Sequence, residues 1–325
     1  MVYIGTMVGA GFATGQEIQL YFYQTDIWTV AISSLATGLF CLLMLFSGKN
    51  QILSPKSKKV VDCIFALSGI VTAGIMLSGI KSITASPFIV LISISVCMLI
   101  AVFGNKAMKI FNAVAVPLII ISVLITAFVN KGAVNGEFSF SNAILYSAMN
   151  VFFESAIMYR EGEKMDRKEI LTTGAIVSVV IFVLIFALRS ASTPEKSVMP
   201  YLLSAHRNGL GWLAYLVVIL AIYSTIVNCL ELSIRFGCKY VDKGTVCAFI
   251  FLSSFIISTF SFETLIEKIY PIFGISGIVF DIYLIILLII RLVKIRKNNL
   301  SCLFKRRFYA QTNPKPALLA NNKKK

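Results

Sequence analysis

The first apolar segment of the chain, residues 2–24, differs from a plain membrane helix because four glycines interrupt it. They lie at Gly5, Gly9, Gly11 and Gly15. Each glycine inside a helix destabilises it by about 1 kcal/mol relative to alanine, and a carboxylate, Glu17, follows directly. Backbone that opens inside a bilayer persists only where protein covers it or it lines a cavity. The segment is therefore predicted to be a membrane helix broken near its middle, as in secondary transporters with inverted repeats.

The composition places the chain in a membrane. Of its 325 residues, 58% are hydrophobic and 14% are charged, and the mean hydropathy is +0.85. A soluble chain of this composition would expose more apolar surface than water tolerates. The net charge of +15 could indicate nucleic-acid binding, but the basic residues lie between apolar segments. We therefore expect an integral membrane protein whose partners are the lipid bilayer and a small-molecule solute, with no nucleic acid.

Ten apolar segments approach the length that crosses about 30 Å of hydrocarbon. These spans are predicted over residues 2–24, 28–48, 60–80, 87–103, 110–129, 142–159, 170–188, 209–234, 245–262 and 269–292. Most Lys and Arg residues lie in the loops after the even-numbered spans and in the tail. The positive-inside rule assigns those loops to the cytoplasm. The prediction is a multi-pass protein of the plasma membrane with both termini cytoplasmic.

Ten spans in this orientation form two groups of five, residues 2–129 and 142–292, with the second group inserted upside down. This predicts an inverted repeat within one transmembrane domain, residues 1–293. Residues 294–325 are rich in basic residues, Asn and Pro and are predicted to be a disordered basic tail. The predicted fold class is an all-α integral membrane protein with ten transmembrane helices, of which helices 1 and 6 are discontinuous.

Span six carries polar residues in its middle, including Asn150 and Glu154. A carboxylate at mid-membrane costs about 2.5 to 3.5 kcal/mol on insertion scales and is expected to face a bundle interior or water. Spans one and six are the first of their respective groups. Polar interruptions at corresponding positions of two halves predict a central binding site.

The segment from Tyr3 to Ile18, with its run GTMVGAGFATGQE, resembles the opening of YkvI-type amino-acid permeases of the amino acid-polyamine-organocation superfamily. The stretch Tyr146–Asn150 resembles their sixth span more loosely. The resemblance covers the layout of all ten spans, but only the first motif is specific. It implies a leucine-transporter-like fold in which helices 1 and 6 unwind near the midplane.

Carried over by position, the resemblance implies that Val8, Gly9, Ala10 and Gly11 form the unwound turn. The amides of Ala10, Gly11 and Phe12 would then open the outer half-helix and bind a substrate carboxylate. It also implies a sodium site made by the carbonyls of Gly5 and Val8 and the hydroxyls of Ser224 and Thr225. Proton-coupled relatives place a Lys in span five, and residues 110–129 contain none. Sodium coupling is therefore favoured over proton coupling.

The candidate residues also have plain structural interpretations. The glycines of span one could serve close helix packing, and Ser224 and Thr225 could bond to carbonyls one turn back. Glu154 is equally a substrate-amine partner and a paired structural acid, and Asn150 is a candidate to hydrogen-bond the substrate or else bridges helices. Glu17 is a candidate proton or gating acid, or a partner of Lys268. Asp281, near the middle of span ten, is a second candidate proton or gating acid.

One further acid and one further amide, both in span eight, have simple structural interpretations. Glu231 is expected to pair with Arg235 one turn later on the same helix, and Asn228 to bridge helices. The chain has no zinc-type Cys/His spacing, phosphate-binding loop or nucleophile elbow, and its seven cysteines form no disulfide framework. We therefore expect neither an enzyme nor a cofactor beyond a coupled sodium ion or proton.

Three function classes follow from these observations. The favoured class is a secondary active transporter of amino acids or similar small amine-bearing solutes that works by alternating access. A ten-helix drug or metabolite exporter is the alternative with the same five-plus-five topology, and a non-transporting receptor or assembly subunit is the third. Only eight residues precede Gly9, which is short for an inner half-helix at 1.5 Å per residue. We therefore expect a start codon upstream of Met1.

Overall fold

The computed structural model of the protein describes residues 10–129, 136–192, 197 and 199–312. This part of the chain is helical, apart from one isolated bridge between Thr25 and Glu137. The helices are α1 (Ala10–Ala13), α2 (Gln16–Phe22), α3 (Ile27–Lys49), α4 (Pro55–Thr84), α5 (Pro87–Val102), α6 (Asn105–Val129), α7 (Phe140–Gly162), α8 (Arg167–Ala191), α9 (Pro200–Arg207), α10 (Gly211–Gly237), α11 (Lys243–Ile257) and α12 (Phe262–Thr312).

The helices confirm an all-α integral membrane protein. Span one corresponds to α1 and α2 together, spans two to seven to α3–α8, and spans eight to ten to α10–α12. Within the described residues, α3, α4, α6, α8, α10 and α12 are each long and apolar enough to cross a membrane. The helices α5 and α11 are apolar but shorter. The short helix α9, in the loop after α8, was not predicted from the sequence.

Span one is interrupted, but further along the chain than the sequence predicted. Residues 10–13 form α1, Thr14 and Gly15 form a turn, and α2 begins at Gln16. Gly15 has a φ of +82°, in the left-handed region that side chains other than glycine rarely adopt. The prediction that Ala10 and Gly11 are unwound is therefore wrong, because both lie in α1. That the amides of Ala10, Gly11 and Phe12 bind a substrate carboxylate stays a prediction. Gly5, Val8 and Gly9 lie outside the described residues.

Span six is one continuous helix, so the prediction that helix 6 is discontinuous is wrong. α7 has no glycine or proline before Gly162, and Ser139 caps its first turn by accepting the amide of Asn142. The hydroxyls of Ser147 and Ser155 donate to carbonyls of their own helix at 2.7 Å. The polar side chains of this helix therefore bond to its backbone without opening it.

The core forms where α7 packs against α3 and α12. Two glycines allow α3 and α7 to approach closely at one end. A Cβ added to Gly48 would lie 1.8 Å from the carbonyl oxygen of Tyr159, and one added to Gly162 would lie 2.2 Å from that of Leu45. Small residues at such crossings let membrane helices pack backbone to backbone. α10 packs against α4, α5 and α6 on the other side of the molecule.

The segment expected to be a disordered tail begins as a helix. α12 continues to Thr312 without an interruption, and residues 313–325 lie outside the described residues. Between Gly277 and Thr312 the chain contains no Gly or Pro and is rich in Leu, Ile, Lys and Arg, which have good to moderate helix propensity. The prediction from composition overlooked this local preference.

Polar caps define where several helices begin. Asp26, Ser54, Asp166 and Asp242 each accept a backbone amide from the first turn of α3, α4, α8 or α11. At Asp242, hydrogen bonds from the amide and hydroxyl of Thr245 hold the pKa of the carboxyl below its usual range. These caps satisfy amides that a helix cannot pair internally, and so fix the loop ends of the bundle.

We predict that Gly15→Ala destabilises the protein more than Gly104→Ala does. Both glycines have a φ near +80°, so both substitutions carry the cost of a left-handed residue, roughly 1 to 3 kcal/mol. A Cβ at Gly15 would also lie 2.9 Å from the Ser192 hydroxyl and 3.0 Å from the Tyr201 amide nitrogen. A Cβ at Gly104 meets nothing within 4 Å.

The measurement is thermal unfolding of the two purified variants in the same detergent. Gly209→Ala, with a φ of +74° and open space around the added Cβ, provides a second control. Equal losses in all three variants would mean that the turn at Gly15 is not packed against α9.

Candidate functional site at the break in the first span

One side of the break is covered by α9. The amide of Gly15 donates to the Phe12 carbonyl at 2.9 Å, and the Thr14 carbonyl accepts the amide of Tyr201 at 3.0 Å. The hydroxyl of Tyr201 in turn bonds with that of Thr126 on α6 at 2.7 Å. Polar backbone groups at the break are therefore satisfied by the protein, as the interior of a membrane requires.

Glu17 is buried directly after the break, with 3% of its surface exposed. Its carboxylate accepts hydrogen bonds from the Tyr270 hydroxyl and from the backbone amide of Phe12. Its second oxygen, Oε2, has no hydrogen-bond partner among the described residues. The pairing with Lys268 is not formed, because Lys268 is exposed while Glu17 bonds to Tyr270. The break therefore places a carboxylate inside the helix bundle.

Three tyrosines surround Glu17. Tyr21 from α2, Tyr146 from α7 and Tyr270 from α12 are buried and close enough to interact electrostatically with its carboxylate. The ring centroids of Tyr21 and Tyr146 are 5.6 Å apart in an edge-to-face arrangement. Aromatic rings beside a carboxylate favour an organic cation through the ring quadrupole and the negative charge. This cluster could not be predicted from the sequence, since its members come from three distant segments.

A cavity of about 250 Å³ lies along α2 and α12, the helices that carry Glu17 and Tyr270. It is lined by Gln16, Gln19, Leu20, Tyr23, Glu263, Ile266 and Glu267. Ile266 and Glu267 lie one turn before Tyr270 on α12, on the same face as Glu263. Two carboxylates at the entrance of a cleft raise the local concentration of cations. The cavity is thus an acidic vestibule next to the Glu17 cluster.

A second polar group lies on α10, which packs against α1. The Ser224 hydroxyl donates to Asn112 Oδ1 at 2.5 Å, and Asn112 Nδ2 donates to Asn228 Oδ1 at 2.8 Å. Asn228 therefore bridges helices, as its alternative interpretation predicted. Thr225 is 2% exposed, and its hydroxyl has no hydrogen-bond partner within the described ranges. Asn112 was missed because it lies near one end of an apolar span.

The remaining predicted residues of α7 are buried near the same centre. Asn150 donates to the Tyr146 carbonyl of its own helix at 3.0 Å. Glu154 has no exposed surface and lies close enough to Cys41 and Cys229 for electrostatic interaction. Cys229 also interacts with Tyr270, so Glu154 and the Glu17 cluster share neighbours. Phe12, Glu17, Asn150 and Glu154 are all buried in the helix bundle.

Asp281 lies apart from this centre. It follows Tyr270 by eleven residues on α12, which corresponds to about 16 Å along the helix. It is 2% exposed, and neither carboxylate oxygen has a hydrogen-bond partner among the residues that the structure describes. The structure therefore does not place Asp281 with Glu17.

The opposite end of the bundle is closed by ion pairs. Lys239 pairs with Asp62 at 2.5 Å, which joins the end of α10 to α4. Lys58 of α4 pairs with Glu163 after α7 at 3.2 Å. The pairing of Glu231 with Arg235 that the sequence predicted is confirmed. These pairs surround a small cavity of about 180 Å³. These ion pairs therefore join α4, α7 and the end of α10 at this end of the bundle.

Comparisons with known proteins give one relative. The chain is 24% identical over 336 aligned residues to the "Uncharacterized membrane protein YkvI" of Bacillus subtilis (strain 168). The alignment covers 86% of this chain and 92% of that protein. No protein-family model matches the chain. The similarity and the apolar helices support a multi-pass membrane protein.

We predict that Asn112 and Asn228 are energetically coupled. Asn228→Leu removes the acceptor of the Asn112 amide, whereas the double variant Asn112→Leu/Asn228→Leu removes both groups of the pair. The double variant should lose less stability than the sum of the two single variants, with a coupling of about 0.6 kcal/mol. Unfolding titrations of the four proteins measure this cycle. Additive losses would mean that the 2.8 Å contact contributes nothing.

Proposed function

We propose that this protein is a secondary active transporter of amino acids or similar small amine-bearing solutes, coupled to a cation. The single observation that carries the proposal is the interruption of the first span beside the buried carboxylate of Glu17. A carboxylate inside a membrane is costly and is typical of substrate or ion pathways. An interrupted membrane helix at the same position is typical of secondary transporters.

The surroundings of Glu17 support a substrate with an amino group. A protonated amine would bind between the free lone pairs of the Glu17 carboxylate and the rings of Tyr21, Tyr146 and Tyr270. The vestibule acids Glu263 and Glu267 would attract it from solution. Glu154 would supply a second carboxylate for a longer or doubly charged amine. The amides of Gly9, Ala10 and Gly11 remain candidates for a substrate carboxylate.

The α10 polar group supports coupling to a cation. Thr225 presents a buried hydroxyl oxygen on the helix that packs against α1. A sodium ion prefers oxygen ligands, and the proposed shell adds the Ser224 hydroxyl and the carbonyls of Gly5 and Val8. If the coupling ion is a proton, Glu17 is the first candidate for its carrier, because this carboxyl group is buried. Asp281 is the second candidate.

The packing of the helices supports an inverted repeat. In a five-plus-five repeat, span three corresponds to span eight and span four to span nine. The contact of α4 with α11 then corresponds to the contact of α10 with α5, and both contacts are formed. Because α4 and α10 are counterparts in the two halves, the contact between them is its own equivalent in the repeat. The proposed transport cycle rocks the helices around the break so that the ion-paired end opens as the vestibule closes.

The proposal is tested by uptake of radiolabelled alanine, leucine and lysine into proteoliposomes. A sodium gradient should drive accumulation above equilibrium for at least one solute, and collapse of the gradient should abolish it. Accumulation driven only by a pH gradient would identify the proton, instead of sodium, as the coupling ion. Efflux of hydrophobic drugs without amino-acid uptake would favour the exporter, and binding without flux would favour a receptor.

We predict that Glu17→Gln abolishes uptake of the amine-bearing solute and that Tyr270→Phe reduces it. The first variant removes the charge that would pair with the amine, and the second removes the hydroxyl that donates to the carboxylate. The control is Tyr240→Phe, since Tyr240 is 57% exposed and lies outside the cluster. Uptake that survives Glu17→Gln unchanged would exclude Glu17 from the substrate site.

We predict that Thr225→Val lowers the apparent affinity for sodium roughly tenfold or more, as loss of a metal-site contact does. Valine keeps the shape of the side chain but removes the oxygen. The control is Thr172→Val, because the Thr172 hydroxyl is exposed and donates to a carbonyl of its own helix. The measurement is the sodium dependence of uptake; identical dependence in both variants would remove Thr225 from the ion site.

A further inference from the structure

An open groove lies on the outside of the bundle between α4 and α12, and its lining residues are not those around Glu17. Its volume is about 800 Å³. The walls are branched aliphatic side chains, and the floor is aromatic. They are Val60, Ile64, Leu67 and Val71 on one wall, Ile272, Ile275 and Val279 on the other, and Phe65, Phe152, Phe273 and Phe280 on the floor.

Contacts among the aromatic rings of the floor hold the groove in shape. The rings of Phe65 and Phe280 are 5.3 Å apart edge to face, and those of Phe152 and Phe273 are 6.0 Å apart and stacked. Phe65 is only 3% exposed, whereas Val279 on the wall is 62% exposed. The walls therefore present apolar surface that no other part of the described chain covers.

The length of the groove matches one leaflet of a bilayer. From Ser57 to Val71 the α4 wall extends about 21 Å, and from Ile272 to Tyr283 the α12 wall extends about 16 Å. Half of the hydrocarbon core is about 15 Å thick. One end of the groove is closed where the Tyr283 hydroxyl donates to the Ser57 hydroxyl at 3.2 Å.

The closed end carries basic residues. Lys56 is exposed and lies one turn before Val60 on the groove side of α4. Arg291 is exposed, lies two turns after Tyr283 on α12 and donates to the Asn50 carbonyl. Lys58 lies over the Tyr159 ring at 5.5 Å and is still 46% exposed despite its pairing with Glu163. A phosphate at this end would therefore meet several positive charges.

We propose that the groove binds one anionic phospholipid, with an acyl chain between α4 and α12 and the phosphate near Lys56 and Arg291. Basic pockets between membrane helices recognise anionic headgroups in this way. A second copy of the chain fits the groove less well. Helices associate closely in membranes through small residues, whereas these walls, apart from three serines, consist of large branched side chains around an aromatic floor.

The test is native mass spectrometry of delipidated protein titrated with phosphatidylglycerol or phosphatidylcholine of identical acyl chains. The wild type should bind phosphatidylglycerol preferentially. Lys56→Gln/Arg291→Gln should weaken this binding about fivefold per removed charge. The matched control Arg167→Gln/Lys168→Gln removes two exposed charges at the start of α8 and should change nothing.

A second pair of variants tests the acyl-chain site. Ile275→Trp/Val279→Trp fills the groove and should weaken phosphatidylglycerol binding, whereas Phe249→Trp/Leu252→Trp enlarges two lipid-facing residues of α11 that are each 59% exposed and should not. In the wild type, phosphatidylglycerol with a photoreactive acyl chain should label peptides of α4 and α12. This labelling keeps the test valid if a variant does not fold.

Three results would overturn the proposal. They are equal binding of the two lipids by the wild type, labelling confined to other helices, and a wild-type dimer that Ile275→Trp/Val279→Trp dissociates. The last result would assign the groove to a second copy of the chain.

Discussion

The structure depends on how a broken helix is accommodated where water is absent. A break in a membrane helix frees backbone groups, and each group left without a partner costs several kcal/mol in hydrocarbon. Here the Thr14 carbonyl bonds to the Tyr201 amide, and Tyr201 is held by Thr126. The loop helix α9 thereby covers one side of the break, and Gly15 provides the left-handed turn that redirects the chain. The same turn brings Glu17 into the bundle.

The placement of charge gives the two ends of the molecule different properties. At the vestibule end, Glu263 and Glu267 line a cavity along α2 and α12. At the other end, Asp62 and Lys239 belong to a set of ion pairs around a small cavity. Surface ion pairs contribute little to stability individually, but Asp62 is only 7% exposed, and a pair with a buried partner is costly to break. The pair therefore fixes the end of α10 to α4.

The sequence predicted the layout of helices better than the details of the site. The position of each span could be predicted because about 20 apolar residues are needed to cross hydrocarbon. The glycines of span one predicted that the helix is broken, but they did not predict at which residue the break lies. Helix α1 forms over Ala10 and Gly11, and the positive φ at the break belongs to Gly15. The continuity of α7 was missed because serine side chains can bond to their own helix as readily as they can mark a break.

The contacts between distant segments could not be predicted from the sequence. The hydrogen bond from Tyr270 to Glu17 joins residues 253 positions apart, and nothing in the local pattern around either residue indicates the other. The same holds for Asn112, which became visible as part of the site only through its bonds to Ser224 and Asn228. Such contacts depend on how the helices pack, which hydrophobic periodicity alone does not determine.

Cysteine accessibility tests the central claim most directly, namely that the broken first span opens to a solute. In a variant without the seven native cysteines, Gln16→Cys would be exposed to a membrane-impermeant thiol reagent, with Leu39→Cys on the lipid-facing side of α3 as the control. The account predicts that Gln16→Cys reacts from one side of the membrane, that the transported solute slows the reaction, and that Leu39→Cys stays unreactive. No reaction at Gln16→Cys from either side would contradict it.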